Sequence, residues 1–204
     1  MAELVPPVQD GLKRTPAAQR RRIRALDSFI DLVLEGNLPP TPQQVSKRAG
    51  ISMATFFRYF ENLNAMRHEA AARMLERFPL LEIREIGQGG LEDRVERFVG
   101  LRVALWEEVN LLARLQRSLV LEDPDAAKMV NYVRGLMASQ VSDHFANELR
   151  GLSAAKRDDV VAVIASLTSV ESWEQFRTVY GRSRLQTRRA WADTIMALLH
   201  RPGV

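Results

Sequence analysis

Apolar side chains recur at intervals of three and four residues along most of this chain, and this spacing restricts the fold more than any other feature. The spacing places apolar groups on one face of an α-helix, whereas a half-buried strand needs strict alternation. One example runs through Ile23, Leu26, Phe29, Ile30 and Val33. No segment alternates and no repeat is evident, so the sequence predicts an all-α fold.

Capping residues, prolines and glycines mark where the helices begin and end. Thr41-Pro42-Gln43-Gln44 combines a capping threonine, a proline at the first helical position and a glutamine suited to a capping box. Gly36 and Gly50 are suited to end helices, because glycine tolerates positive φ. The predicted helix starts are Thr15, Thr41, Ser52, Asn62, Ser153 and Ser183, with further breaks at Asp123-Pro124 and Gly151-Leu152.

Composition excludes several classes of protein. The apolar fraction of 46% is enough for a packed core. The absence of cysteine excludes a disulfide framework, a thiolate zinc site and a cysteine nucleophile. The N-terminus has no apolar core of a secretory signal, and no uninterrupted apolar run is long enough to span a bilayer. We therefore expect a cytoplasmic protein without a membrane partner.

Positive charge is concentrated at the N-terminal end. Residues 1–68 contain ten Lys or Arg against six Asp or Glu, which equals the net charge of +4 for the whole chain. A localised basic surface attracts phosphate backbones, although a solvated basic tail has the same composition.

Enzymatic motifs are missing from the sequence. His68, His144 and His200 are far apart and lack metal-ligand spacing. Neither a phosphate-binding GxxxxGK[ST] loop nor a GxSxG nucleophile motif occurs. The sequence therefore predicts no enzyme, no catalytic residue, no metal site and no cofactor.

The segment 41–60 has the layout of two short helices joined by a turn at Gly50. Phe56 and Phe60 are four residues apart and share a face, so with Val45 and Ile51 they are expected to form a small core. The residues predicted on the outer face are Met53, Ala54, Thr55, Phe57, Arg58 and Tyr59.

The stretch TPQQVSKRAGISMATFFRYFENLNAM resembles the DNA-binding domain of TetR-type transcriptional regulators. The resemblance rests on the Thr-capped short helix, the AG-[IV]-S turn, the small-Thr-aromatic-aromatic run and the Arg-Tyr-Phe ending. It implies that the helix from Ser52 to Phe60 enters the major groove of double-stranded DNA. Thr55 and Tyr59 would then bind phosphates. The residues we expect at DNA are Arg48, Ser52, Met53, Ala54, Thr55, Phe57, Arg58, Tyr59 and Arg67.

Two positions depart from the family pattern. Phe57 stands where the family often has tyrosine, so it cannot donate a hydroxyl to phosphate and would contact a thymine methyl or a sugar. Leu63 stands where the family tends to have a lysine that meets the DNA backbone. Arg67 or the arginines Arg20, Arg21, Arg22 and Arg24 are expected to replace that contact.

The resemblance also implies the roles of four segments. Residues 1–14 would be a flexible basic tail, 15–62 a three-helix helix-turn-helix domain, 63–90 a connecting helix and linker, and 91–204 a helical-bundle domain for ligand binding and dimerisation. The expected dimer seam comprises Val160, Val163, Ile164, Leu167, Trp191, Ile195 and Leu198, which are equally suited to the core of the domain.

We expect an apolar or amphipathic effector to bind the second domain. The candidate ligand-binding residues are Arg102, Trp106, Asn110, Met129, Tyr132, Met137 and Phe176. Large residues at helical spacing also fit an ordinary core. The sequence thus predicts a ligand-responsive, homodimeric transcriptional regulator that binds a palindromic operator as a repressor. The alternative is a helical ligand-binding or adaptor protein whose N-terminal module binds protein instead of DNA.

Overall fold

The structure, a computed structural model of the chain, describes residues 15–78, 83 and 85–200. Within these residues the chain is all-α, with ten α-helices and one π-helical turn and without any β-strand. The predicted tail at 1–14 and part of the predicted linker lie outside the described residues. The chain divides into two compact units, residues 1–77 and 78–204, and the predicted connecting helix belongs to the first of them.

The first unit contains four helices: α1 (Pro16–Leu34), α2 (Pro42–Ala49), α3 (Met53–Tyr59) and α4 (Leu63–Arg77). Each predicted cap is formed, since Thr15, Thr41, Ser52 and Asn62 each accept a backbone N–H from the first turn that follows. Thr41 and Gln44 complete the predicted capping box. These caps satisfy backbone donors that would otherwise lack partners at the helix ends.

The core of the first unit lies between α1 and the three shorter helices. Val45, Phe56 and Phe60 are buried as predicted, and the two phenylalanine rings lie 5.4 Å apart. Ile51 is only half-buried, so it is less enclosed than the other predicted members of this core. Ile51 precedes α3 in the turn, where its side chain is not directed by a helical face.

The second unit is built around one long helix. α5 (Leu91–Leu119) contacts α6 (Pro124–His144), a short helix α9 (Val170–Glu174) and α10 (Arg184–Leu199). α7 (Ala146–Leu149) follows α6, and α8 (Ala154–Leu167) packs on α6 and α10. The predicted cap at Ser153 is formed. Asp123, at a predicted break, and Ser183, at a predicted helix start, also cap the helices that follow them. The π-helical turn at Gln175–Val179 directly continues α9, and the sequence pattern did not predict it.

Four of the seven residues expected at a dimer seam lie in the core of the second unit. These are Val160, Ile164, Trp191 and Ile195, each at most 4% exposed. Their burial within one chain agrees with the alternative reading of the pattern as core. Val163, in contrast, is 50% exposed.

A buried polar network joins α5, α6 and α7. Arg94 is 3% exposed and donates to the Glu148 carboxylate at 2.9 and 2.5 Å and to the His144 carbonyl at 2.9 Å. His144 Nδ1 accepts the Gly87 backbone N–H at 3.1 Å, while Nε2 lies 3.0 Å from the Arg94 carbonyl oxygen. These partners fit a neutral imidazole, and burial lowers the pKa of His144.

Across the described ranges, no helix combines the length and the apolar character that crossing a bilayer requires.

Candidate nucleic-acid interface

α3 presents a continuous exposed surface on the side opposite Phe56. Ser52, Met53, Ala54, Phe57 and Arg58 are all exposed. Met53 is 40% exposed and Phe57 is 53% exposed. The exposed side of α3 therefore combines apolar groups with one cation and the polar helix start.

Tyr59 does not belong to that surface, and the prediction that placed it on the outer face is wrong. Its exposure is 7%, and its ring lies edge-on to the ring of Phe60 with centroids 6.3 Å apart. The reason is helical geometry, because residues three and four apart lie on neighbouring positions of one face. Phe56, Tyr59 and Phe60 thus share the buried side of α3.

The start of α3 is ordered by side-chain hydrogen bonds. Ser52 Oγ accepts the Thr55 backbone N–H at 3.1 Å and lies 3.0 Å from Thr55 Oγ1. Thr55 is half-buried, and its hydroxyl also lies 3.4 Å from Arg58 Nη2. These contacts fix the polar groups at the N-terminal end of α3, where backbone N–H groups and the helix dipole favour an anion.

Acidic partners divide the basic residues of the first unit into two groups. One group forms ion pairs, namely Arg22 with Glu69, Arg48 with Glu35, Arg73 with Asp27 and Arg77 with Asp31. The other group has no ion pair with any residue in the described part of the chain, and it comprises Arg20, Arg21, Arg24, Lys47 and Arg58. The sequence alone does not distinguish the two groups.

The unpaired cations include residues beside the turn into α3. A Cβ placed on Gly50 would lie 3.7 Å from Arg24 Nη2, which locates the Arg24 guanidinium at this turn. Lys47 is in the last turn of α2, and Arg58 is in the last turn of α3. All three side chains belong to exposed residues. Lys47 was not among the predicted DNA-contacting residues, and only its charge identified it in the sequence.

Three other arginines are held by protein groups. Arg48 donates to both Glu35 carboxylate oxygens, at 2.6 and 2.5 Å, and this hydrogen bonding lowers the pKa of Glu35. Arg67 is half-buried and donates to Asn64 Oδ1 at 2.9 Å. Arg22 is 8% exposed and lies over the Phe60 ring at 5.5 Å. Arg22 is therefore a core residue, and its expected role at the DNA backbone is wrong.

Hydrogen bonds join some of the predicted ligand-binding residues of the second unit to one another. Arg102 on α5 donates to the Met137 carbonyl oxygen at 3.2 Å, so these two are adjacent. Trp106 is buried and donates its indole N–H to the Thr168 carbonyl oxygen at 2.8 Å. Asn110 donates its amide to the Trp106 carbonyl oxygen at 2.9 Å, within its own helix. Met129 and Tyr132, like Asn110, are half-buried.

Phe176 lies in the π-helical turn that continues α9. Its ring packs edge-on against Trp191 at 6.1 Å and Tyr180 at 6.0 Å. It borders a cavity of about 340 Å³ whose lining residues are Phe176, Tyr180, Arg182, Gln186, Arg189 and Ala190. No other predicted ligand-binding residue lines this cavity.

Three solved structures share this fold. A transcriptional regulator from Rhodococcus sp. Rha1 matches 87% of this chain and 95% of its own length, with a TM-score of 0.69 at 15% identity. A candidate transcriptional regulator from Streptomyces coelicolor A3(2) matches 89% and 99%, with a TM-score of 0.62 at 17% identity. The multidrug binding protein EbrR, complexed with imidazole, matches 90% and 97%, with a TM-score of 0.57 at 14% identity.

The chain matches no family model and no curated protein sequence. The likeness to the three solved structures therefore concerns the fold, because the sequence identities are only 14% to 17%.

Proposed function

We propose that this protein is a TetR-type transcriptional regulator whose α3 enters the major groove of double-stranded DNA. The observation that carries the proposal is the set of unpaired cations on the first unit, in which Arg24 and Lys47 flank the Gly50 turn and Arg58 lies on α3. Cations without acidic partners are available to neutralise phosphates, and their binding releases counterions from DNA. The fold shared with two transcriptional regulators supports the proposal.

In this proposal α2 and α3 form a helix-turn-helix, and the N-terminal part of α3 lies nearest to the base edges. Ser52 supplies a hydroxyl, whereas Met53 and Ala54 supply apolar contacts suited to thymine methyl groups. Thr55 and Arg58 bind phosphate, and Phe57 packs on a sugar or a thymine methyl. Because few donors face the bases, sequence-dependent DNA shape supplies part of the specificity.

The remaining predicted contacts take narrower roles. Arg48 contacts DNA while its ion pair with Glu35 stays intact, so it adds little net positive charge to the interface. Arg67 contacts the DNA backbone near the start of α4. The ring of Tyr59 supports α3 from beneath, and only its hydroxyl is proposed to reach a phosphate.

The second unit is proposed to bind an effector and to form a homodimer. A two-fold dimer would place two recognition helices about 34–36 Å apart, or a multiple of that distance, on a palindromic operator. Exposed apolar residues of the second unit, among them Val163, Val179 and Leu185, offer surface for such a contact. An effector that favours another spacing would weaken DNA binding, typically by about 1–3 kcal/mol, which describes a repressor.

The EbrR structure favours the effector part of the proposal, because EbrR shares the fold and is described as a multidrug binding protein complexed with imidazole. We propose no enzymatic activity and a cytoplasmic location. The competing function is an adaptor whose first unit binds protein.

The test measures binding of the full-length protein to a pool of genomic DNA fragments at several salt concentrations. We expect log affinity to fall steeply with log salt concentration. Arg58→Gln should reduce that slope by about 0.9, the value for one lost phosphate contact. The matched control is Arg188→Gln, which removes an arginine of the second unit that is paired with Glu96, and it should leave the slope unchanged. Absent or salt-insensitive binding would favour the adaptor.

A further inference from the structure

Arg102 is a buried cation at the centre of the second unit. It is 2% exposed, although it lies on α5 among apolar residues. Its Nη2 atom donates to the Met137 carbonyl oxygen at 3.2 Å and to Gln140 Oε1 at 2.8 Å. Its guanidinium carbon lies 4.9 Å from the centroid of the Phe98 ring. Both hydrogen-bond acceptors are neutral, so neither compensates the charge.

The lack of an acidic partner distinguishes Arg102 from the other buried arginines of the described chain. Arg22 pairs with Glu69, and Arg94 pairs with Glu148. Arg102 forms no ion pair with any residue that the structure describes. Burial lowers the pKa of Arg102 to about 9, so the side chain is still a cation at neutral pH. An uncompensated buried charge is costly, and protein interiors normally supply a counterion.

The hydrogen-bonding capacity of Arg102 is also incomplete. A guanidinium carries five N–H donors, and Nη2 provides two of them. Within the described residues, Nε and Nη1 have no acceptor. These N–H groups are therefore available to donate to an acceptor from outside the protein.

We propose that Arg102 pairs with the carboxylate of an organic monocarboxylate whose apolar body packs in the second unit. The surroundings define this class of ligand, because the buried Phe98 ring lies against the Arg102 guanidinium and the buried residue Met137 accepts its hydrogen bond. Trp106, also buried, lies one helical turn further along α5. A single anionic group matches the one uncompensated charge, and a carboxylate matches a guanidinium in geometry. The proposal deepens the proposed function, on which it rests for calling this ligand the effector.

The experiment compares acids with their neutral amides on the full-length protein at pH 7. The probes are benzoate, 2-naphthoate and hexanoate, each paired with benzamide, 2-naphthamide or hexanamide. Thermal melting and titration calorimetry measure binding. We expect at least one acid to bind about tenfold or more tightly than its amide, the preference that a hydrogen bond to a charged group confers.

Variants assign that preference to Arg102. Arg102→Met should abolish the acid preference, and Arg102→Lys should keep part of it because the charge remains. Arg188→Gln is the matched control, since it removes an arginine paired with Glu96 on the surface, and it should keep the full preference.

Three outcomes would overturn the proposal: no acid binds, acid and amide bind equally, or Arg102→Met retains the acid preference. If Arg102→Met does not fold, the ratio of acid affinity to amide affinity still tests the proposal, measured in the unmodified protein and in Arg102→Lys. DNA binding is measured separately. If the protein shows Arg102-dependent acid binding but does not bind DNA, only the proposed function is refuted. If it binds DNA but shows no preference for acids over amides, only the proposal for Arg102 is refuted.

Discussion

Replacing Gly50 by alanine tests whether the turn between α2 and α3 depends on glycine. Gly50 has φ 63° and ψ 41°, a left-handed conformation, and ends α2. An added Cβ would meet only Arg24 Nη2, at the ordinary contact distance of 3.7 Å. The substitution therefore creates backbone strain without steric overlap. An L-residue in this conformation costs about 1–2 kcal/mol, so we expect Gly50→Ala to lower the free energy of unfolding by about 1 kcal/mol.

Gly135 provides a control of the same chemical change with the opposite expected sign. It lies inside α6, and nothing within 4 Å would meet an added Cβ. Alanine is favoured over glycine in a helix interior by about 0.5–1 kcal/mol, so Gly135→Ala should stabilise the protein by that amount.

Urea denaturation followed by far-ultraviolet circular dichroism measures both changes, and hydrogen exchange of the α2 and α3 amides locates the effect. Gly50→Asn should lose less stability than Gly50→Ala, because asparagine enters the left-handed region more readily. A Gly50→Ala protein as stable as the unmodified chain, measured beside a stabilised Gly135→Ala, would refute the reasoning.

Four further predictions concern the packed core and the interface. Arg22→Met should lower the free energy of unfolding by about 3 kcal/mol, because it breaks a buried ion pair. Arg48→Gln breaks an exposed ion pair and should change the free energy of unfolding by less than about 1 kcal/mol. Urea titration measures both changes. Phe57→Tyr should tighten DNA binding on all sequences by about 1 kcal/mol in anisotropy titrations, because it adds a hydroxyl to an exposed ring; unchanged affinity contradicts this. Tyr59→Phe should weaken binding to all sequences similarly without changing the fold, and unaltered binding would exclude the phosphate contact. His144 has a folded-state pKa below its ordinary 6.5, so the unfolded state takes up a proton first as the pH falls. The free energy of unfolding should therefore fall as the pH drops through 6.5. His144→Gln should flatten this dependence in melting curves recorded between pH 7 and pH 5.

Local signals predicted the helix boundaries of this protein well. Thr41 and Ser52 cap helices in the structure, and Gly50 adopts the positive φ that the turn requires. Such features depend on a few neighbouring residues, so the sequence contains all the information they need. The absence of a strand pattern likewise predicted the all-α class.

The sequence did not predict which side chains form contacts between helices that are far apart in the chain. Arg22 and Arg24 are two residues apart and chemically identical, yet Arg22 is buried on Glu69 and Arg24 lies unpaired at the Gly50 turn. Their difference depends on how α1 packs against α2 and α4. The same limit applies to Arg94 and His144, whose hydrogen-bond partners are about fifty residues away in the chain.

The sequence by itself determined that this chain forms short capped helices followed by longer ones, because helix starts, turns and apolar faces are set by interactions within a few residues. Only the tertiary structure decided which charges are neutralised, that Tyr59 is buried, and that Arg102 has no acidic partner within the described residues. The physical reason is that burial and ion pairing depend on distances across the packed unit, and residue spacing along one helix does not specify those distances.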